Sequence, residues 1–142
     1  MKSNIKKSTA IIFIIIFALS LLRITYAFAF NKQDAHSDET WSYGLSNSHN
    51  NPFIFAENDK TTIRNFNEWI SSDVFVDYLT VQEGERFDYA SVWYNQKYDD
   101  HPPLFYVLLN TVCSFFPNSY SLWYGYIINV LAFIILMILN LL

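Results

Sequence analysis

The stretch AIIFIIIFA, residues 10–18, is an unbroken apolar run at the centre of a longer apolar segment, residues 8–30. At about 1.5 Å per residue, a helix of that length reaches roughly 35 Å and can cross the hydrocarbon core of a bilayer. Lys2, Lys6 and Lys7 precede the segment. The positive-inside rule therefore predicts that residues 1–30 are a cytoplasmic N-terminus followed by a first transmembrane helix.

The same segment has a second interpretation as a cleavable signal peptide. Basic residues, an apolar stretch and the small residues Ala27 and Ala29 fit that pattern, in which case residues 1–29 are removed. Arg23 is expected to snorkel outward or to pair with an acid. Both interpretations place the following residues outside the cytoplasm.

Charge is sorted into blocks along this chain, which is 52% hydrophobic, 19% aromatic and only 15% charged. All thirteen acidic residues lie between Asp34 and Asp100, where five basic residues oppose them, so this region carries a formal charge of −8. Such sorting is typical of membrane proteins. We expect no nucleic-acid partner, because there is no basic stripe to neutralise phosphates. The single cysteine, Cys113, excludes an internal disulfide and is expected in a core or against lipid.

Residues 31–101 are predicted to form a large extracytoplasmic loop that contains short helices at the bilayer interface. The loop is rich in tryptophan and tyrosine, which favour that interface. Ser37 is a predicted cap of a helix that begins at Asp38. Helical spacing recurs twice more, at Ile63, Phe66 and Ile70 and at Tyr89, Trp93 and Gln96.

Residues 102–142 are predicted to form a transmembrane hairpin with helices at about 103–117 and 122–142 and a turn at Pro117. The first of these is short, so it needs flanking residues or a thinned bilayer to span. The chain stops in apolar sequence at Leu142, and we expect that it is truncated. The predicted fold class is an all-α membrane protein, multi-pass in the plasma membrane, with three spans.

Two clusters of polar residues lie where the loop leaves and re-enters the membrane: HSDETWSY, residues 36–43, and DDHPPLFY, residues 99–106. Each places carboxylates beside the bilayer surface. Structural interpretations are available for each cluster. Asp38 and Glu39 suit the first turn of a helix, whose dipole favours acids, and His101 suits a cap before prolines. Asp99 and Asp100 are expected to form a solvated turn.

The order and placement of these clusters resemble the GT-C glycosyltransferases. An Asp-Glu pair soon after the first span, an aromatic-rich loop and His-Pro-Pro-Leu-Phe-Tyr at the second span are similar to the bacterial relatives of protein O-mannosyltransferases (glycosyltransferase family 39, with the lipid A aminoarabinose transferases). The resemblance covers the whole chain but only the first part of such an enzyme.

The resemblance implies an inverting transferase of hexosyl or pentosyl groups. The sugar comes from a polyprenyl-phosphate donor in the membrane lipid and passes to an extracytoplasmic glycan, lipid or protein acceptor. Asp38 matches the base that deprotonates the acceptor, and Glu39 matches the supporting residue of the pair. His101 matches the histidine before the proline pair, which lies near the donor phosphate or organises the loop. Divalent-metal dependence varies in the superfamily, so the cofactor is left unknown and no metal ligands are assigned. A set of His36, Asp38 and His101 lacks the close ligand spacing of a metal site.

Two alternatives to an enzyme stay open: a small membrane-anchored protein whose acidic loop binds a partner, and a non-functional gene fragment. Later loops of GT-C enzymes supply cationic contacts to the donor phosphate that are outside this sequence. We therefore expect the 142-residue chain alone to be inactive. A continuing reading frame with further spans would favour the enzyme.

Overall fold

A computed structural model describes residues 2–54, 69 and 71–141 of the chain. Every regular element in these residues is a helix, which confirms the predicted all-α class. The α-helices are α1 (Lys2–Asn31), α2 (Ser37–Asn47), α3 (Ser72–Leu79), α4 (Tyr89–Asn95), α5 (Leu104–Ser114) and α6 (Leu122–Leu141), and short 3-10 helices cover Glu83–Glu85 and Gln96–Tyr98. The chain divides into two compact units, residues 1–34 with 129–142 and residues 35–128.

The first unit contains α1 and the larger part of α6, which are both long apolar helices. Within α1, Ser8–Asn31 has a mean hydropathy of 2.4 over its most apolar window, and α6 reaches 2.3. These helices have 24 and 20 residues, so each is long and apolar enough to cross a membrane. Their apolar side chains are largely exposed, as Leu19 and Leu136 illustrate, which separates them from the core helices of a soluble protein. The position of α1 at the N-terminus fits a signal sequence equally well.

The third predicted span differs from the prediction. In place of a helix over 103–117, α5 has eleven residues and a length of about 16 Å, because it starts after Pro103 and ends before the turn at Pro117. One side of α5 is buried, with Tyr106, Leu109 and Cys113 in the core of the second unit. The described residues thus contain two helices long enough to cross a membrane, and α5 is shorter than a bilayer is thick.

In the second unit α2 is the central helix, in contact with α3, α4 and α5. Its residues 43–47 are consecutively buried, which one-sided packing could not achieve. One core cluster joins Tyr43 to Tyr78 and Leu109, and another joins Leu45 to Val92. Burying side chains of this size stabilises the fold by about 1.5–3 kcal/mol each.

Buried amides fix α2 to its neighbours. The side chain of Asn47 donates to the carbonyl of Leu79 at 2.7 Å, and that of Asn110 donates to Ser46 at 2.8 Å. Asn95, fully buried, donates to the carbonyls of Leu45 and Ser48. Each bond satisfies a polar group that would cost about 1–3 kcal/mol if it were buried alone.

The short helices of the predicted loop agree with the sequence patterns where they are described. The helix expected from Asp38 starts one residue earlier, at Ser37, and His36 caps it in place of Ser37. The Tyr89 and Trp93 pattern becomes α4, with Gln96 in the 3-10 turn that follows. The Ile63, Phe66 and Ile70 pattern lies outside the described residues. Cys113 is in the core, one of its two expected locations.

Candidate functional site

The start of α2 carries the Asp-Glu pair, and its two acids have different surroundings. The backbone N–H of Asp38 donates to His36 Nδ1 at 3.3 Å, and the backbone N–H of His36 donates to Glu39 Oε2 at 2.8 Å. This reciprocal arrangement is a capping box. Glu39 is therefore engaged in holding the helix start, whereas the carboxylate of Asp38 is 90% exposed and available to a ligand.

The second cluster contains a carboxylate that holds the histidine. Asp99 Oδ1 lies 2.9 Å from His101 Nδ1, and the hydroxyl of Tyr106 donates to Asp99 Oδ2 at 2.7 Å. The side chain of Asp99 is only 11% exposed, whereas that of His101 is 73% exposed. The prediction of a solvated turn is therefore wrong for Asp99, because Tyr106, one turn into α5, covers it. Asp100 is exposed as predicted.

Electrostatics couples Asp99 and His101. Burial raises the pKa of Asp99, but hydrogen bonds from His101 and Tyr106 outweigh it, so the pKa lies below its usual value. The hydrogen bond to Asp99 and its negative charge raise the pKa of His101 above 6.5. Asp99 occupies Nδ1 of the ring, so Nε2 is the nitrogen left to meet a ligand. When protonated, it is a donor suited to an anion.

The two clusters meet although 60 residues separate them in sequence. The hydroxyl of Ser42 is a hydrogen-bond neighbour of the Tyr106 hydroxyl and also donates to the carbonyl of Asp38 at 2.8 Å. The charge of Asp38 contributes to the raised pKa of His101, so the two side chains lie within electrostatic range. An exposed carboxylate and an exposed imidazole therefore share one end of the second unit.

The part of the chain that the structure describes contains no preformed metal-binding site. No three His, Cys, Asp or Glu side chains there come together as a ligand group. His36 and Asp38 are adjacent, with Nδ1 and Oδ2 3.4 Å apart, but His101 does not complete a set with them. Asp38 and His101 thus lie at the same end of the second unit, and Glu39 has a capping role.

A cleft of about 320 Å³ opens at the other end of α2, away from Asp38. It contains no predicted site residue. Its lining is mostly polar and includes His49, Asp77, Gln82 and Glu85. His49 resembles His101 in one respect, because its Nδ1 lies 2.9 Å from a carboxylate, that of Asp88.

Sequence reasoning missed Asp99 and Tyr106 as parts of the site. The signal was present in DDHPPLFY, since a helix that starts after two prolines brings its third residue back over the turn that precedes it. Comparisons of the chain with protein-family models, curated proteins and solved structures find no match. The resemblance to GT-C enzymes therefore rests on the sequence alone, that is, on the two clusters, their order and the aromatic-rich loop between them.

Proposed function

We propose that this chain is the N-terminal part of an integral membrane glycosyltransferase that takes a sugar from a polyprenyl-phosphate donor. The observation that supports the proposal best is the convergence of the two clusters, with exposed Asp38 and Asp99-held His101 at one end of the unit. A base for an acceptor and a cation for a phosphate are the two groups that such a reaction requires close together.

The proposed reaction is a displacement at the anomeric carbon. The acceptor oxygen forms a new bond to that carbon while its proton passes to the carboxylate of Asp38. The bond between the anomeric carbon and the phosphate oxygen breaks, and its electron pair leaves with the lipid phosphate. A phosphate is a good leaving group, so the acceptor needs a base more than the leaving group needs an acid.

His101 is proposed to bind the donor phosphate through Nε2. Its raised pKa increases the imidazolium fraction near neutral pH, and a protonated ring donates a charge-assisted hydrogen bond to a phosphate oxygen. Asp99 and Tyr106 orient the ring. Glu39 supports the site indirectly, because its bond to the His36 N–H fixes the helix turn that carries Asp38.

The proposed location is the plasma membrane, with the N-terminus in the cytoplasm and residues 31–101 outside. The length and hydropathy of α1 and α6 support it. A lipid-linked donor is dissolved in the same bilayer, which would keep its phosphate near the surface where Asp38 and His101 could meet it.

The test compares two histidines that are each held by an aspartate. Membranes are prepared from cells that express the protein from its natural reading frame, and transfer is measured from radiolabelled polyprenyl-phosphate sugars. His101→Gln should raise the KM for the donor roughly tenfold, because it removes a hydrogen bond to a charged group. His49→Gln is the matched control and should leave the KM unchanged.

Three results would refute the proposal. These are no transfer from any polyprenyl-phosphate sugar by the unchanged protein, an unchanged donor KM in His101→Gln, or equal effects of the two histidine variants.

A further inference from the structure

Both ends of α5 are bonded to polar residues of the same unit. At its start, the Tyr106 hydroxyl donates to Asp99. At its end, Arg86 Nε donates to the carbonyl of Ser114 at 2.8 Å, and the backbone N–H of Phe87 donates to Ser114 Oγ at 2.8 Å. Arg86 also forms an ion pair with Glu83, in which Nη1 and Oε1 are 3.2 Å apart.

These contacts are incompatible with α5 as a transmembrane helix. Residues 83–99 contain no helix long enough to cross a bilayer, so Arg86 and Asp99 must lie on the same side of it. A spanning α5 would separate its start from its end by the roughly 30 Å hydrocarbon core, yet the helix is about 16 Å long and is held by residues of one side at both ends.

The side of α5 opposite the core is apolar and exposed. Leu104, Leu108 and Phe115 follow at intervals of four and seven residues and thus lie along one stripe. Leu104 is 68% exposed. The buried stripe, which includes Leu109 and Cys113, points the other way. An amphipathic helix of this kind lies along a boundary between an apolar and a polar phase.

The exposed side of α4 continues this stripe. The Tyr89 hydroxyl lies 3.1 Å from Thr111 Oγ1, and the rings of Phe87 and Phe115 are 5.3 Å apart. The two contacts show that the helices run in opposite directions, so Trp93, 57% exposed, lies toward the Leu104 end. We call the combined area the α4–α5 surface; its members are Phe87, Tyr89, Trp93, Leu104, Leu108 and Phe115.

We propose that α5 does not cross the membrane and that the α4–α5 surface lies in the interfacial layer of the bilayer crossed by α1 and α6. The inference rests on the membrane location proposed above, not on the sugar-transfer chemistry. A bilayer is the occupant that the chain itself brings to this unit. Only residues 32–36 separate α1 from α2, and α6 begins inside the unit.

The composition of the α4–α5 surface also fits a bilayer interface. Tryptophan and tyrosine each combine an apolar ring with a polar group, and they prefer this layer for that reason. One cation lies beside the surface: Arg86, whose guanidinium carbon is 5.9 Å from the centre of the Phe87 ring. Such side chains lie along apolar groups while their charges reach lipid phosphates.

An interfacial position of α5 reverses the direction in which the chain after α5 crosses the membrane. With α5 crossing, residues 117–121 would be cytoplasmic and α6 would run outward. With α5 in the interface, residues 117–121 stay outside and α6 runs inward. The protein then has two spans in the described chain, and one experiment separates the arrangements.

The first test labels single-cysteine variants in intact cells with a membrane-impermeant maleimide. Ser119→Cys should be labelled, as should Gly84→Cys, where a Cβ meets nothing within 4 Å. Ser3→Cys should react only after lysis. The unchanged chain reports the background from Cys113, which is fully buried.

The outcomes of this labelling are distinct. Labelling of Gly84→Cys in intact cells, with labelling of Ser119→Cys only after lysis, would overturn the inference and make α5 a span. Failure of both to react before lysis would overturn it together with the proposed membrane orientation. Sugar transfer does not enter the readout.

A second measurement reports contact with lipid directly. Tryptophan emission of the protein in vesicles is quenched by phosphatidylcholine brominated near the top of its acyl chains. Trp93→Phe should remove part of the quenched emission, whereas Trp41→Phe should remove much less, because Trp41 is half-buried against Phe53, with ring centres 5.6 Å apart. Lipid quenching that is unchanged in Trp93→Phe would contradict the proposed surface.

Discussion

The two compact units differ in what they do with apolar residues. The unit of residues 1–34 and 129–142 exposes them along helices of uniform character, and Leu22, Leu131 and Leu139 are each more than half exposed. The unit of residues 35–128 buries them beside amides and hydroxyls that bond to backbone carbonyls, as Asn47 and Asn95 do. Apolar content alone therefore does not distinguish a membrane span from a core helix. Helix length and the partners of the polar residues do.

The largest effect is expected at the site of the second unit. Asp38→Asn keeps the shape of the side chain and removes the proposed base, so turnover should fall roughly 10²- to 10⁴-fold. Turnover is measured with the protein expressed from its natural reading frame. Glu39→Gln should cost less, because a glutamine can still accept the capping bond from the His36 N–H.

Asp73→Asn is the matched control for Asp38→Asn. Asp73 is also exposed at the second position of a helix, α3, so its loss has the same consequence for the helix dipole. Its turnover should be unchanged. If Asp38→Asn and Asp73→Asn were equally active, Asp38 would not be the base; if Glu39→Gln alone were inactive, the roles of the pair would be reversed.

The next effect concerns the first unit. Leu131→Arg places a charge at the middle of α6, which should disfavour membrane insertion by about 2.5–3.5 kcal/mol, or roughly 10²-fold. The inserted fraction is measured with a topology reporter after Leu142. Leu108→Arg on the exposed side of α5 should affect insertion much less, because an interfacial arginine can reach the headgroups. Equal losses in the two variants would mean that α5 spans the membrane as α6 does.

A smaller effect is expected where α2 packs closely against α3, at Gly44. A Cβ at Gly44 would overlap the ring of Tyr78, which is buried and donates to the carbonyl of Pro52 at 3.2 Å. Gly44→Ala should therefore reduce the free energy of unfolding by about 1–3 kcal/mol. Chemical denaturation of the solubilised protein measures it. Gly84→Ala has open space around its Cβ and should change stability by less than about 0.5 kcal/mol.

The smallest effect is on the titration of His101. NMR should give a pKa above 6.5 for His101. Asp99→Asn should lower this pKa, because the hydrogen bond to Asp99 is the main cause of its rise. Asp100→Asn should lower it less. A raised pKa means that the Asp99–His101 pair contributes stability at low pH that is lost as pH rises through the folded pKa of His101. The pKa of Asp99 is lowered, so the stability that its carboxylate contributes is present at higher pH and is lost as pH falls through the folded pKa of Asp99. A larger change in Asp100→Asn than in Asp99→Asn would contradict this account.

Much of the helix pattern could be predicted because it is encoded locally. Long apolar runs predicted α1 and α6, and capping with helical spacing predicted the starts of α2 and α4 to within about one residue. The end of α5 could not be predicted in this way. An apolar run in a protein core has the same local signal as one in lipid, and the bonds of Asn110 and Ser114 to residues distant in sequence help to separate the two.

The candidate site was predictable in composition but not in its internal bonds. Asp38 and His101 were identified from their residue types and order. That Glu39 would bond to the N–H of His36 depends on which residue caps the helix, and capping preferences of Ser37 and His36 do not fix this to one position. The hydroxyl of Tyr106 reaches Asp99 only once α5 has formed, and this contact is not encoded in the local pattern around Asp99.

The long sequence separations of the α2 contacts have a consequence for biosynthesis. Asn110 bonds to Ser46 across 64 residues, and Tyr43 donates to the carbonyl of Ser121 across 78. At ribosomal rates of about 5–20 residues per second, α2 is made roughly 3–13 s before α5, the helix whose Asn110 donates to the carbonyl of Ser46. During that interval the carbonyl of Ser46 lacks its native donor, so α2 is an incomplete folding unit until α5 has been made.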